Sequence, residues 1–404
     1  MKESEVRTGE GVAVLDPRAV ALLALAAFVS SATLRALDPL VPVIADELAT
    51  SVGRVGLVVT AFSLAYGLCQ AVWGPIGDRF GKFRVVTLAC LLSALTVGAA
   101  ALADSLAGLA GLRLLSGITA AAIIPLAMAF IGDHVPYEQR QATLARFMTG
   151  QIMGLIGGQV IGGIVGDLLG WRAVFVVLAA LFLGPGLLLG LELRSSRLPA
   201  PVLGPGLRPR QFLFAYARLL SRRWPRAVLL TVFIEGLLFF GAFAYVGTHL
   251  HVTHGVTVAT AGGLLATFGL GGIAYALNVG FLIRRLGERG LAVVGGACLA
   301  GGYLWLAVAP TAWLATPAIA VLGLGFYMLH ATLQTNATQM APGARGLAVS
   351  PFASCFFVGQ GVGAWGAGLV IDRAGPGPLF LTAAPVLLLL ALAFARRLDR
   401  RPAA

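Results

Sequence analysis

Charge is scarce in this sequence. Asp, Glu, Lys and Arg make up 11% of the residues, against about 25% in ordinary soluble domains. That scarcity excludes a water-facing globular protein, because too much apolar surface would remain uncovered. Segments of about 10 residues with alternating polarity, the mark of a membrane β-barrel, are missing as well. Cysteine is rarer still: Cys69, Cys90, Cys298 and Cys355 each fall inside an apolar stretch. They have neither metal-ligand spacing nor an oxidising location, and read as packing residues. No G-x-x-x-x-G-K-S/T loop occurs, so direct ATP coupling within this chain is not expected. No catalytic dyad and no haem or iron–sulfur spacing is found, so neither an enzyme, a cofactor nor a metal site is expected. The polar segment 1–17 lacks the short apolar core and cleavage site of a signal peptide, so the first apolar stretch is expected to be kept as a span.

What the sequence has is length in apolar runs. Hydrophobic residues make up 58% of the 404, and the mean hydropathy is +0.89. A bilayer-crossing helix needs about 20 apolar residues. Spans are expected near 18–47, 54–77, 83–103, 106–131, 146–166, 172–192, 227–250, 259–283, 290–309, 313–337, 347–370 and 377–396. The expected fold is an all-α membrane protein of twelve transmembrane helices. The 53 glycines suit such helices, since glycine lets backbones approach closely.

The net charge of +12 does not call for nucleic acid. In a twelve-span reading nearly all basic residues fall on one side. Arg54, Arg172 and Arg373 fall on the other, and Arg35 and Arg113 lie within spans. By the positive-inside rule both termini are cytoplasmic, in a bacterial-type inner membrane.

The hydropathy pattern breaks once, over 193–226, where five prolines accompany a dense run of arginines. This divides the chain into a tail (1–17), a six-helix bundle (18–192), a cytoplasmic linker (193–226), a second bundle (227–396) and a short tail (397–404). The arginine-rich part of the linker, Gln211–Arg226, can lie along the anionic inner leaflet or serve only as a topological anchor. The two bundles repeat in sequence. Gly74, Arg79 and Gly81 recur as Gly280, Arg285 and Gly287; Asp167, Gly170 and Phe175 recur as Asp372, Gly375 and Phe380; Pro136 and Arg140 correspond to Pro342 and Arg345. Parallel repeats of this kind place a substrate site at their interface near the bilayer midplane.

Between the second and third spans stands Gly74-Pro-Ile-Gly77-Asp78-Arg79-Phe-Gly81-Lys82-Phe-Arg84. Its glycines permit a tight turn, and Asp78 can meet a helix N-terminus or a basic side chain. The fifth span carries Gly150, Gly154, Gly158 and Gly162 on one face, with Gln159 and Gly163 beside them. The fourth contains Arg113 ahead of Ser116-Gly117. With these motifs the chain resembles the major facilitator superfamily, specifically its twelve-helix drug–proton antiporter branch. The first motif is similar to the family's G-x-L-x-D-R-x-G-R-K loop. The second is similar to G-x-x-x-G-P-x-x-G-G, with Gln159 in the proline position, and the third to R-x-x-Q-G, with Ser116 replacing Gln. The resemblance implies a gating loop that tethers helix 2 to helix 11 in an outward-open state, alternating access, and a monomer sufficient for the fold. The bland alternatives are a basic turn and a packing stripe.

The few ionisable groups inside the spans are the candidate coupling residues. Arg35 and Asp38 are three apart and can pair on one helix face. Arg113 either faces a polar cavity, as a rival partner for Asp38, or snorkels outward. Glu235, near mid-membrane, has no basic neighbour on its own helix. It suits a proton carrier, a reader of cationic substrates, or a hydrogen bond to a neighbouring helix. Tyr66, Gln70, Gln151, His330, Gln334 and Asn336 are candidate cavity-lining residues, and His249, His251 and His254 read as a solvated loop. The expected function is proton-coupled efflux of small, largely apolar or amphipathic molecules, with protons and the lipid bilayer as partners. The alternatives are sugar or metabolite uptake or exchange on the same fold, and a non-transporting membrane sensor or assembly partner.

Overall fold

The computed structural model describes residues 16–194, 217, 219–340 and 345–398. The described residues are helical almost throughout. We number the long helices α1 (Pro17–Arg35), α2 (Val52–Phe80), α3 (Lys82–Ala99), α4 (Leu106–His134), α5 (Tyr137–Leu169), α6 (Trp171–Arg194) and α7 (Arg223–His254). A continuous stretch, Val258–Val308, turns at Gly287 and supplies α8 (258–286) and α9 (288–308). Then follow α10 (Ala312–Thr338), α11 (Arg345–Ala374) and α12 (Pro376–Leu398). All are long and apolar enough to cross a bilayer, which makes twelve once the bend at Gly287 is counted. Most of the expected linker, most of the tails, and Pro342 lie outside the described residues.

Helix punctuation follows the chemistry of the loops. Four of the six helices that start at the end remote from the Gly81 turn are capped by hydroxyl side chains. Ser51 accepts from Arg54 N–H, Ser105 from Gly108, Thr257 from Thr260 and Thr311 from Leu314. The α2–α3 turn depends on Gly81 at φ +90° and the α8–α9 turn on Gly287 at φ +62°, a region that glycine enters without steric cost. These two turns occupy equivalent places in the two halves, as the repeat predicts. We call the end carrying them the basic end, and the other the far end.

The glycine stripe of α5 lies against α1. A Cβ on Gly150, Gly154, Gly158 or Gly162 would fall on the carbonyl oxygens of Ala24, Phe28, Ala32 and Ala36 respectively. The other half repeats the device: Gly359 and Gly363 of α11 sit on the carbonyls of Phe233 and Leu237 of α7. Lipid offers little hydrophobic drive for helix pairing, so close backbone contact supplies the attraction. The stripe therefore packs helices in both halves, with or without the proline that Gln159 replaces. Gly158→Leu is expected to lower the thermal stability of the detergent-solubilised protein by more than the ~1–3 kcal/mol usual for overpacking. Gly74→Leu, where nothing lies within 4 Å of the added carbon, should leave it nearly unchanged. Size-exclusion profiles after heating separate the two.

Among the described residues, the contacts between the halves gather toward the far end and thin out toward the basic end. On the α2–α11 seam, Asp372 accepts from Ser51 Oγ (2.6 Å) and from the Gly53 N–H (2.8 Å), so a carboxylate of one half caps a helix of the other. Further in, Thr60 Oγ1 donates to the Gly361 carbonyl (2.9 Å), and the Tyr66 ring lies 4.5 Å from that of Phe357. On the α5–α8 seam, Gly163 packs against Gly262, and Ile156 against Gly269. Toward the basic end, Gly74 on α2 has no neighbour, and Gly280 on α8 meets only its own helix's Arg284.

Candidate functional site

The site begins where α1 stops. Asp38 precedes Pro39, and a residue before proline is disfavoured in the helical region. The helix ends at Arg35, and a turn leads to a short helix, Val41–Glu47. The continuous first span expected over 18–47 is thus corrected to a broken one, with Asp38 in the break.

Arg35 Nη1 lies 3.6 Å from Asp38 Oδ2, and both side chains are buried, at 5% and 1% exposure. The sequence pairing is therefore realised, loosely. The shorter contact of Arg35 crosses the seam: Nη2 donates to Gln360 Oε1 of α11 at 3.1 Å. Gln360 in turn donates from Nε2 to Ser63 Oγ of α2 at 2.9 Å. The guanidinium also stands 3.7 Å from the centroid of the Phe240 ring of α7, a cation–π contact. One arginine of the first half is thus held by two helices of the second. Gln159, fully buried on α5, lies beside the Asp38 carboxylate.

Arg113 makes no hydrogen bond or close ion pair with Asp38, although the two charges are near enough to act on each other. It donates from Nη2 to the Thr33 carbonyl at 3.2 Å and lies 4.0 Å over the Phe62 ring. At 2% exposure it neither snorkels nor lines an open cavity; it ties α4 to α1 and α2.

Glu235 finds its base on another helix. Its Oε2 lies 2.8 Å from Nδ1 of His330 on α10, with the Glu235 side chain at 0% and that of His330 at 18% exposure. Glu235 Oε1 has no hydrogen-bond partner among the described residues. The imidazole stacks on Phe326 (4.8 Å, 23°) and touches Phe356 (4.7 Å). Immediately after Glu235, α7 widens into a π-helical turn, Gly236–Phe240, a feature often found at functional sites. Glu235 opens that turn and Phe240, the ring under Arg35, closes it. Phe240 also packs 5.6 Å from Phe356, so an aromatic bridge joins the two ionic centres.

The remaining candidates divide. Tyr66 and Gln70 are buried in or near the α2–α11 seam, and Gln151 and Gln334 are half-buried. Asn336 is buried and donates to the Thr332 carbonyl of its own helix at 2.9 Å. His249, His251 and His254 close α7 rather than forming a loop, and His249 Nε2 lies 3.2 Å from the Leu306 carbonyl oxygen.

The loop after α2 makes its contacts within one half. Lys82 Nζ bridges Asp78 and Asp133, each at 2.7 Å, and Gly77 packs on Leu126. Among the described residues its ion pairs run to α3 and α4, within one half. Among the described residues no tether to α11 is seen; that tether is expected of the outward-open state. Arg79 and Arg84 are exposed there.

Sequence reasoning missed Gln360, Ser63 and the capping role of Asp372. A glutamine set among glycines in an apolar span was the available signal for Gln360, and the Asp167/Asp372 repeat for Asp372.

Twelve apolar helices in two repeated halves, with buried ionisable residues where the halves meet, define a multi-pass membrane transporter and not an enzyme. The family model described as Major Facilitator Superfamily matches residues 23–350, and the chain belongs to that family. It is 33% identical over 299 residues to the tetracycline resistance protein, class C, of Escherichia coli, covering 69% of this chain and 70% of that one. It is 29% identical over 157 residues to the multi-drug resistance efflux pump PmrA of Streptococcus pneumoniae. That match spans 38% of this chain and 39% of the pump. The fold matches the crystal structure of the nucleoside transporter NupG with a TM-score of 0.74 at 16% identity, covering 95% of this chain and 100% of that one.

Proposed function

We propose that this protein is a proton-coupled exporter of small, largely apolar or amphipathic molecules. It works by alternating access in a bacterial-type inner membrane, with both termini cytoplasmic. The positive-inside rule makes the basic end cytoplasmic, so the conformer described is open inward and sealed outward. The efflux-pump name of one relative and the drug-resistance name of the other support the direction of transport.

The observation that carries the reading is the position of Arg35 between Asp38 and Gln360. Its hydrogen bond runs to Gln360 across the seam (3.1 Å), while Asp38 in its own half stands further off (3.6 Å). A proton on Asp38 removes the rival for the guanidinium and leaves it on Gln360, which favours the outward seal. Loss of that proton to the cytoplasm draws Arg35 back to the carboxylate, weakens the seal and lets the outer side open. Glu235 and His330, joined to the same arginine through the π-turn and Phe240, form the second protonatable centre, facing substrate through the partly exposed imidazole.

Everted vesicles test this directly. With an acidified lumen, addition of a tetracycline or another apolar drug is expected to release lumenal protons in step with drug uptake. Drug movement without proton movement would refute the coupling, and accumulation of the same compound by intact cells would reverse the direction.

A further inference from the structure

The groove between α2 and α3 has no part in the seam. It encloses about 430 Å³ and is lined by Trp73, Ile76, Phe80, Val85, Leu88, Ala89 and Leu92, with Arg84 as its only charged residue. Phe80 and Leu88 stand 57% and 56% exposed along it, so it opens sideways into the space that lipid fills. Its inner wall is fixed: Trp73 Nε1 donates to the Ile118 carbonyl of α4 at 2.8 Å.

Charge decides what occupies it. The acidic groups of the neighbouring turn, Asp78 and Asp133, are both engaged by Lys82. Arg79 and Arg84 are left exposed at the basic end, and no ion pair to either is found among the described residues. Arg79 lies 5.4 Å from the ring of Phe80, on the groove's rim. A long apolar trough whose only charged residue is cationic and sits at the membrane surface complements an amphiphile with an apolar chain and an anionic head.

We propose that this groove is a binding site for an anionic phospholipid, one acyl chain lying along Trp73, Ile76, Leu88 and Leu92 and the phosphate meeting Arg84 and Arg79. Basic side chains at an anionic membrane surface each favour association by a factor of about five. The acyl chain supplies the rest by filling apolar surface.

Native mass spectrometry of the whole, delipidated protein titrated with phosphatidylglycerol or phosphatidylcholine tests the site. Phosphatidylglycerol is expected to be retained preferentially. Arg84→Gln should weaken it about fivefold, the effect of one surface cation, with little change for phosphatidylcholine. Leu88→Trp, at an exposed position that fills the trough, should weaken both lipids. In proteoliposomes, phosphatidylglycerol brominated on its acyl chain should quench wild-type tryptophan fluorescence more than that of Trp73→Phe. Equal retention of the two lipids, an undiminished preference in Arg84→Gln, or quenching indifferent to Trp73 would each overturn the proposal.

Discussion

Asp38→Asn is expected to reduce proton-coupled export to background while leaving the protein folded. Asparagine nearly preserves the shape of the side chain, so the turn around Pro39 and the packing of Gly247 against it should survive. What disappears is the option of ionisation. Arg35 then has no carboxylate to return to and stays on Gln360 and Phe240. Losing a hydrogen bond to a charged partner is worth about 1.5–3 kcal/mol, on the order of 10–10²-fold in the balance between two states. That is ample to hold the outward seal shut. Lumenal acidity and drug uptake in everted vesicles report the loss, and an unchanged size-exclusion profile separates it from misfolding. Coupled transport at the wild-type rate in this variant would remove Asp38 from the mechanism.

Glu235→Gln is expected to slow transport about 10–100-fold, the range for losing a charge-assisted hydrogen bond of ~1.5–3 kcal/mol. Glutamine can still bond His330, so the effect isolates charge from contact. His330→Gln should be milder, because the imidazole is partly exposed and Glu235 remains to take a proton. The two single variants and the double variant form a cycle. A double variant no worse than Glu235→Gln would place both residues in one unit, whereas additive losses would separate them. A wild-type rate and pH profile in Glu235→Gln would sink its role. Rates measured across a series of external pH values provide the check.

The twelve spans, the two-half plan and the local Arg35–Asp38 pair were legible because each depends on residues near one another in the chain. Hydropathy runs, the repeated glycine turns and i,i+3 spacing carry that information directly. The seam was not legible in the same way. His330 stands on α10 and Glu235 on α7, and nothing local says that their faces meet. Gln360 is polar in an apolar span, yet its two partners lie on α1 and α2. Arg113 shows the limit of judging by depth alone. Similar depth made it a plausible mate for Asp38, but rotation about α4 turns it to the Thr33 carbonyl instead. The loop containing Asp78 is a different case: its motif describes a partner met in the outward-open state, which this conformer does not test. The α5 glycines were legible as a stripe, and their recurrence on α11 identifies the stripe as packing.

That recurrence has a mechanical consequence. With α1 riding on α5, and α7 on α11, at carbonyl contact over several turns, each pair is a stiff double rod with no slack for gradual bending. Under the proposed alternating access, opposite faces of the membrane are exposed by tilting entire rods against one another, pivoting near the break at Asp38 and the widened turn after Glu235. The two centres proposed to exchange protons are therefore also the joints.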